Sequence, residues 1–156
     1  MKSLLLLIGK TTNKHLSACI ADYVERIGHY MPFDVLVVPE LKNTKNLTFA
    51  QQKEREGELL LRQLQDGDHV VLLDEHGKEY RSIEFADWLE KRRHHSRRLV
   101  FVVGGPYGFS EAMYKRANEK ISLSRMTFSH QLVRLVFIEQ IYRGCTIIKG
   151  EPYHHE

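Results

Sequence analysis

Leu99-Val100-Phe101-Val102-Val103-Gly104-Gly105-Pro106-Tyr107-Gly108 runs five apolar residues straight into a glycine-rich turn. The run has no polar alternation, which is the pattern of a strand buried on both faces of a parallel sheet. Ser110-Glu111 follows the turn, and an acid in a first helical turn is favoured by the helix dipole, so a helix is expected after Ser110. Strand, glycine turn and helix in succession describe one unit of an α/β layer.

Working outward, residues 4–8, 35–38 and 70–73 are runs of the same kind. Helical patterns separate them. One covers 16–27, with Gly28 as its expected stop; another covers 49–64, with Gly67 after it; a third covers 83–93, with Ser82 as its expected N-cap. The last, at 130–149, carries Leu132, Val133, Leu135, Val136, Phe137, Ile138, Ile141 and Tyr142 around most of its circumference. Such a helix needs cover on two sides, the sheet on one and a second subunit on the other. Lys149, Gly150 and Pro152 then form a C-terminal stop, leaving residues 151–156 projecting. No repeat or linker divides the chain, so a single domain of 1–156 is expected, an α/β fold with a mainly parallel sheet flanked by helices.

The 156 residues are 42% hydrophobic and 28% charged, the balance of a globular domain rather than a disordered chain. A net charge of +3 permits an anionic partner but does not demand one. No apolar run approaches a membrane span, and residues 4–8 are too short for a signal peptide, so no membrane is expected and the cytoplasm is the expected compartment. Cys19 and Cys145 lie far apart without a CxxC pattern and are expected as free core thiols. Adjacent histidines, as at His94-His95 and His154-His155, rarely point at one ion, and no metal is expected.

Ligands of open α/β sheets bind beyond the carboxyl ends of the strands. Gly104 and Gly105 sit at such an end and suit either close approach to a ligand or a tight turn. Leu73-Asp74 ends another strand, where Asp74 is a ligand or a turn cap. The segment Leu123-Ser124-Arg125-Met126-Thr127-Phe128-Ser129-His130 opens the last helix, with Ser129 a candidate N-cap. His130 is a catalytic base, a substrate contact or a surface residue. Arg134 and Arg143 interrupt an apolar helix, and each needs either a carboxylate partner, such as Glu139 of another subunit, or a bound anion. The run Lys91-Arg92-Arg93-His94-His95-Ser96-Arg97-Arg98 reads first as a solvated helix end and second as an RNA backbone contact. Tyr153-His154 alone reads as a disordered end.

Taken together, Gly104-Gly105-Pro106-Tyr107-Gly108, Leu123-Ser124, Thr127-Phe128, His130, Arg134 and the terminal Pro152-Tyr153-His154 resemble one family throughout its length: the ribosomal RNA large-subunit methyltransferase H family of the SPOUT superfamily. The resemblance implies a SPOUT methyltransferase fold whose C-terminal part is a deep trefoil knot, an arrangement that ordinary topology rules would discard. It implies a homodimer. It implies S-adenosyl-L-methionine as cofactor, held largely by backbone groups of loops containing Leu73, Gly104 and Leu123, Ser124, Arg125, Met126, Thr127 and Phe128. It implies transfer of the methyl group to N3 of a pseudouridine in a hairpin loop of 23S ribosomal RNA on the assembled ribosome, with His130, Arg143, Tyr153 and His154 as candidate catalytic or substrate-contacting residues, the tail of one chain reaching the pocket of the other. The chain departs from the family pattern at Ser129, where proline is usual, and at His155, where many members carry Arg or Lys. A neutral histidine there holds phosphate less strongly than a fixed cation.

Overall fold

The computed structural model describes residues 2–95 and 97–155. Expectations that touch Met1, Ser96 in the basic run and Glu156 in the tail lie outside the described residues. Strands β1 (Lys2–Ile8), β2 (Phe33–Val38), β3 (Asp68–Glu79), β4 (Arg98–Val103) and β5 (Glu119–Ser122) form one sheet in the order β2-β1-β4-β3-β5. Every neighbouring pair is parallel. Helices α1 (Lys14–Gly28), α2 (Phe49–Leu61), α3 (Ser82–Arg93), α4 (Glu111–Arg116) and α5 (Leu132–Lys149) connect or follow them.

The unbroken apolar runs are strands because each face of the sheet has its own core. Alternate residues Leu5, Leu7, Val71, Leu99 and Phe101 pack with Ile27, Leu89, Phe137 and Ile141 from α1, α3 and α5. Their sequence neighbours Leu4, Leu6, Val70, Leu72, Val100 and Val102 pack with Leu60 and Met113 from α2 and α4. The result is a three-layer domain whose central strands carry no polar face. Among the described residues no helix is long and apolar enough to cross a membrane.

Several local expectations are corrected. Strand β3 does not end at Asp74 but continues to Glu79 through a bulge, with both Leu73 and Lys78 registering on Ile121. Asp74 caps the bulge, accepting from the His76 N–H at 2.8 Å and from the Tyr114 hydroxyl. Strand β5 escapes a reading by apolar runs because it begins Glu119-Lys120. Glu119 is nonetheless half-buried: desolvation would raise its pKa, but hydrogen bonds from Arg92, Trp88 and His69 outweigh it and hold the carboxyl down at about 2. Arg92 in the basic run is thereby spent on the fold, as are Arg98 against Asp68 at 2.7 Å and Lys91 against Asp87. Helix α1 ends at Gly28 as expected, but the cap is His29 in a right-handed conformation rather than a left-handed glycine. The N-cap of α3 is Arg81, not Ser82, whose hydroxyl instead donates to Gln140 of α5 at 3.1 Å. Helix α2 stops at Leu61 rather than 64. Cys19 is exposed, not a core thiol, whereas Cys145 is buried and its pKa is pushed up to about 11, chiefly by desolvation.

Helix α5 meets its expectation of a wide apolar surface with α1 and α3 packed beside it. Leu132 stays 40% exposed, and Leu135, Val136 and Ile147 stay partly so. The helix starts two residues later than expected, with the Ser129 hydroxyl accepting from the Leu132 N–H at 3.1 Å, and ends on Gly150 at φ 73°. The tail does not project. The Tyr153 ring packs edge-on against Tyr142 with centroids 4.7 Å apart, and Tyr30 donates to Glu151.

Arg134 is 2% exposed and has neither a carboxylate partner nor an anion role. Its guanidinium donates to the carbonyls of Ile8 at 2.7 Å, Gly9 at 2.9 Å and His130 at 3.2 Å, and to the Thr11 hydroxyl at 3.1 Å. Burial lowers its pKa by disfavouring the charge, the Glu40 carboxylate partly opposes that, and the carbonyls satisfy the guanidinium's donors. Arg134→Met should therefore cost about 3–5 kcal/mol of stability, because it strands several buried acceptors at once. Arg134→Lys should recover little of it, since an ammonium lacks the planar fork. Urea denaturation midpoints measure both.

Candidate functional site

The bulge of β3 at Leu73–His76 and the carboxyl ends of β4 and β5 open onto a cleft of about 510 Å³, within the range of small-molecule sites. Leu73 and Val103 end their runs at its floor, Gly104, Gly105 and Tyr107 form one wall, and Leu123, Ser124, Met126, Thr127 and Phe128 form another, with His130 and Val133 beyond. Seven of the eight expected cofactor residues thus line one space; Arg125 does not, its side chain being 89% exposed and 3.8 Å from Glu79. The cleft also takes in Lys53, Asp74, His76 and Tyr114. The Tyr114 hydroxyl is pushed up to about 12 by desolvation and by its bond to Asp74, so it is a neutral donor throughout the ordinary pH range.

The wall at 123–128 is irregular backbone. Among the described residues no backbone–backbone hydrogen bond ties it. Its internal order comes from serines: Ser122 donates to the Ser124 carbonyl at 3.0 Å, and the Met126 N–H donates to the Ser124 hydroxyl at 3.0 Å. Peptide groups left without partners at a strand end are donors and acceptors available to a ligand. Apolar walls with polar backbone rims suit a molecule carrying both a flat heteroaromatic ring and charged ends.

The opposite wall has a backing that sequence reasoning missed. Glu56 of α2 is 4% exposed, and its carboxylate lies directly behind Gly105, where an added Cβ would come within 2.6 and 2.7 Å of its two oxygens. One carboxylate oxygen has no hydrogen-bond partner; the other accepts only from Gln52 at 3.5 Å. Burial raises the pKa of this carboxyl. A side-chain pair formed across 49 residues (105 − 56) leaves no local signature.

A second cluster stands at the far end of α5. Arg143 donates to Glu139 at 2.6 Å, lies 4.8 Å over the Tyr153 ring, and approaches His154 Nδ1 at 3.1 Å. The Tyr153 hydroxyl donates to Glu139 at 2.9 Å and lies 3.4 Å from the Tyr23 hydroxyl; desolvation raises its pKa further above the ordinary value. A guanidinium at Nδ1 makes that nitrogen the acceptor and puts the ring proton on Nε2. Arg143, Tyr153 and His154 are therefore brought together, but not with His130. Arg143 lies eleven residues (143 − 132) past Leu132, the start of α5, about 17 Å along the helix axis, and His130 precedes that start. Among the described residues no cluster of His, Cys, Asp or Glu could hold a metal ion.

Gly105→Ala should destabilise the fold by about 1–3 kcal/mol through overpacking against Glu56. Glu56→Ala in the same chain should relieve most of that loss, because it removes the obstructing carboxylate and little hydrogen bonding. Chemical denaturation of the single and double variants checks the pair.

Comparison with known proteins agrees with this arrangement. Residues 1–154 match the family model described as "Predicted SPOUT methyltransferase". The chain is 60% identical over 157 residues to the ribosomal RNA large subunit methyltransferase H of Phocaeicola vulgatus, with all of both chains covered. It is 61% identical, with the same coverage, to the protein of that name from Parabacteroides distasonis. It is 57% identical over 152 residues to that of Christiangramia forsetii, covering 97% of each chain. With its glycine-walled cleft at the ends of a parallel sheet and a match along its whole length, the chain belongs to the SPOUT methyltransferases, in the ribosomal RNA large subunit methyltransferase H family.

Proposed function

We propose that this chain transfers a methyl group from S-adenosyl-L-methionine to N3 of a pseudouridine in a hairpin loop of 23S ribosomal RNA on the assembled ribosome, in the cytoplasm, as a homodimer of single domains of 1–156 with a C-terminal trefoil knot. The observation that carries this reading is the cleft, whose wall at 123–128 offers untied backbone beside apolar Leu73, Val103 and Leu123. Relatives named for large-subunit rRNA methylation at about 60% identity support the substrate class.

The cofactor would lie between Leu73, Gly104 and the 123–128 wall, where it supplies an electrophilic methyl on a sulfonium. Backbone groups of that wall and of Gly104 would fix its orientation, and alignment of the attacking nitrogen with the methyl accounts for much of the acceleration. The ring nitrogen of the nucleoside carries a proton that must leave, and His130 at the cleft mouth is placed to accept it. Arg143, held by Glu139, offers a fixed cation for the charge that develops on the base, and Tyr153 offers a ring for stacking. Because these groups sit about 17 Å along α5 from the helix start that follows His130, they serve the cleft of a partner subunit rather than their own. The partly exposed Leu132, Val136 and Ile147 supply the apolar surface through which such a dimer forms.

The direct experiment incubates ribosomes lacking the modification with the protein and labelled cofactor, then digests the RNA for mass spectrometry. One new methyl on a pseudouridine is expected. A methyl on another base would assign a different target, and cofactor binding without transfer would make the chain a binding protein. A mixing experiment tests the shared site. His130→Ala and His154→Ala should each be nearly inactive alone. Random exchange of their subunits makes half of the dimers mixed, each with one intact site of two, so about a quarter of the wild-type rate should return. Absence of recovery would place the whole site within one chain.

A further inference from the structure

Phe49 and Tyr107 stack face to face at the rim of the cleft, with ring centroids 4.2 Å apart and planes 18° from parallel. Phe49 is 68% exposed and Tyr107 38%. Neither belongs to the core: Phe49 is the first residue of α2, just after the N-cap Thr48, and Tyr107 sits in the turn after β4. Two aromatic rings that cover each other and leave an outer face bare are a platform on which a third flat ring can stack.

The surroundings identify what that ring belongs to. Lys53 lies one helical turn beyond Phe49, on the same side of α2, and lines the cleft beside Tyr107. From Leu41 to Lys53 the chain carries Lys42, Lys45 and Lys53 and neither Asp nor Glu. Lys42 and Lys45 are exposed, as are Asn46 and Gln51. Glu40 and Glu54 flank this run, but inside it the cations stand without acids, and cations so arranged favour a phosphodiester chain. A protein partner fits poorly, because two rings offer a few hundred Å² at most, against about 800 Å² per side in a stable interface. The neighbours that would have to enlarge the patch are polar.

We propose that the Phe49–Tyr107 pair stacks an unpaired RNA base next to the one that enters the cleft, with Lys53 and the lysines before α2 holding the adjoining phosphates. The proposal rests on the reading of the chain as an rRNA methyltransferase. A nucleotide delivered to the cleft must leave its own stack, and a neighbouring base clamped on the rim holds the opened loop in register.

Phe49→Ala, Phe49→Leu and Phe49→Trp are compared with the unaltered protein in methyl transfer to ribosomes lacking the modification, with S-adenosyl-L-methionine affinity, melting temperature and oligomeric state measured on the same samples. The expected result is a rise of about 5- to 100-fold in KM for ribosomes with Ala, the range of one lost stacking contact. Leu should behave like Ala, Trp should restore the original KM, and cofactor affinity should be unchanged in all three. An unchanged KM with Ala, or full restoration by Leu, would overturn the platform. A rise in KM that tracks loss of dimer would overturn it in favour of a second copy covering the ring. If the unaltered protein itself fails to methylate ribosomes, the enzymatic reading falls, whereas normal transfer with a silent Phe49→Ala removes the platform alone.

Discussion

The cleft depends on a single buried cation. A loop with no backbone–backbone hydrogen bonds among the described residues, 123–128, keeps its shape only if both ends are fixed. Its first end is the register of β5 on β3. Its second is Arg134, which reaches from the first turn of α5 to the carbonyls that end β1 and, in the same grip, to the carbonyl of His130. Gln131 adds a second stitch to the same segment, accepting from the Thr12 N–H at 2.9 Å and donating to the Lys10 carbonyl at 3.2 Å. A desolvated guanidinium is costly unless every donor is used. The need to satisfy it therefore forces the start of α5, the end of β1 and the exit of the 123–128 wall into one arrangement.

The same helix separates two kinds of chemistry. At its start stand the cleft and His130; near its end stand Arg143, Tyr153 and His154, anchored by Glu139 and by an aromatic cluster of Tyr23, Tyr30 and Tyr142. The tail is thereby ordered within its own chain, so Tyr153 and His154 are held in place at no further entropic cost on binding. Ordering also means that the tail contributes to the fold of its own chain, as the exposed-terminus reading did not anticipate.

The central strands were legible because burial on both faces removes every polar residue from them, and a pattern of that kind survives in one dimension. Strand β5 was not, since its Glu119 is neutralised by Arg92, Trp88 and His69 from α3 and β3, a solution visible only in three dimensions. The cap of α3 was misassigned to Ser82 because its hydroxyl is drawn to Gln140 of α5, while the helix start is closed locally by Glu84 accepting from the Arg81 N–H. Resemblance to a family singled out the loops that line the cleft, because their motifs are contiguous. It could not find Glu56 behind Gly105, nor Phe49 on Tyr107, pairs whose members are 49 and 58 residues apart (105 − 56 and 107 − 49).

The strand order has a consequence for how the chain is born. Both neighbours of β3, namely β4 and β5, come later in the chain, and β4 also fills the place beside β1. During synthesis β1 and β2 have each other, but the sheet is not continuous until Val103 has left the ribosome, 95 residues (103 − 8) after Ile8. At about 5–20 residues per second that interval is roughly 5–19 s. Through it the β4-side edge of β1 stays open, and for the last 24 residues (103 − 79), roughly 1–5 s, the apolar strand β3 also waits without an edge to join, a window in which chaperones would find their target.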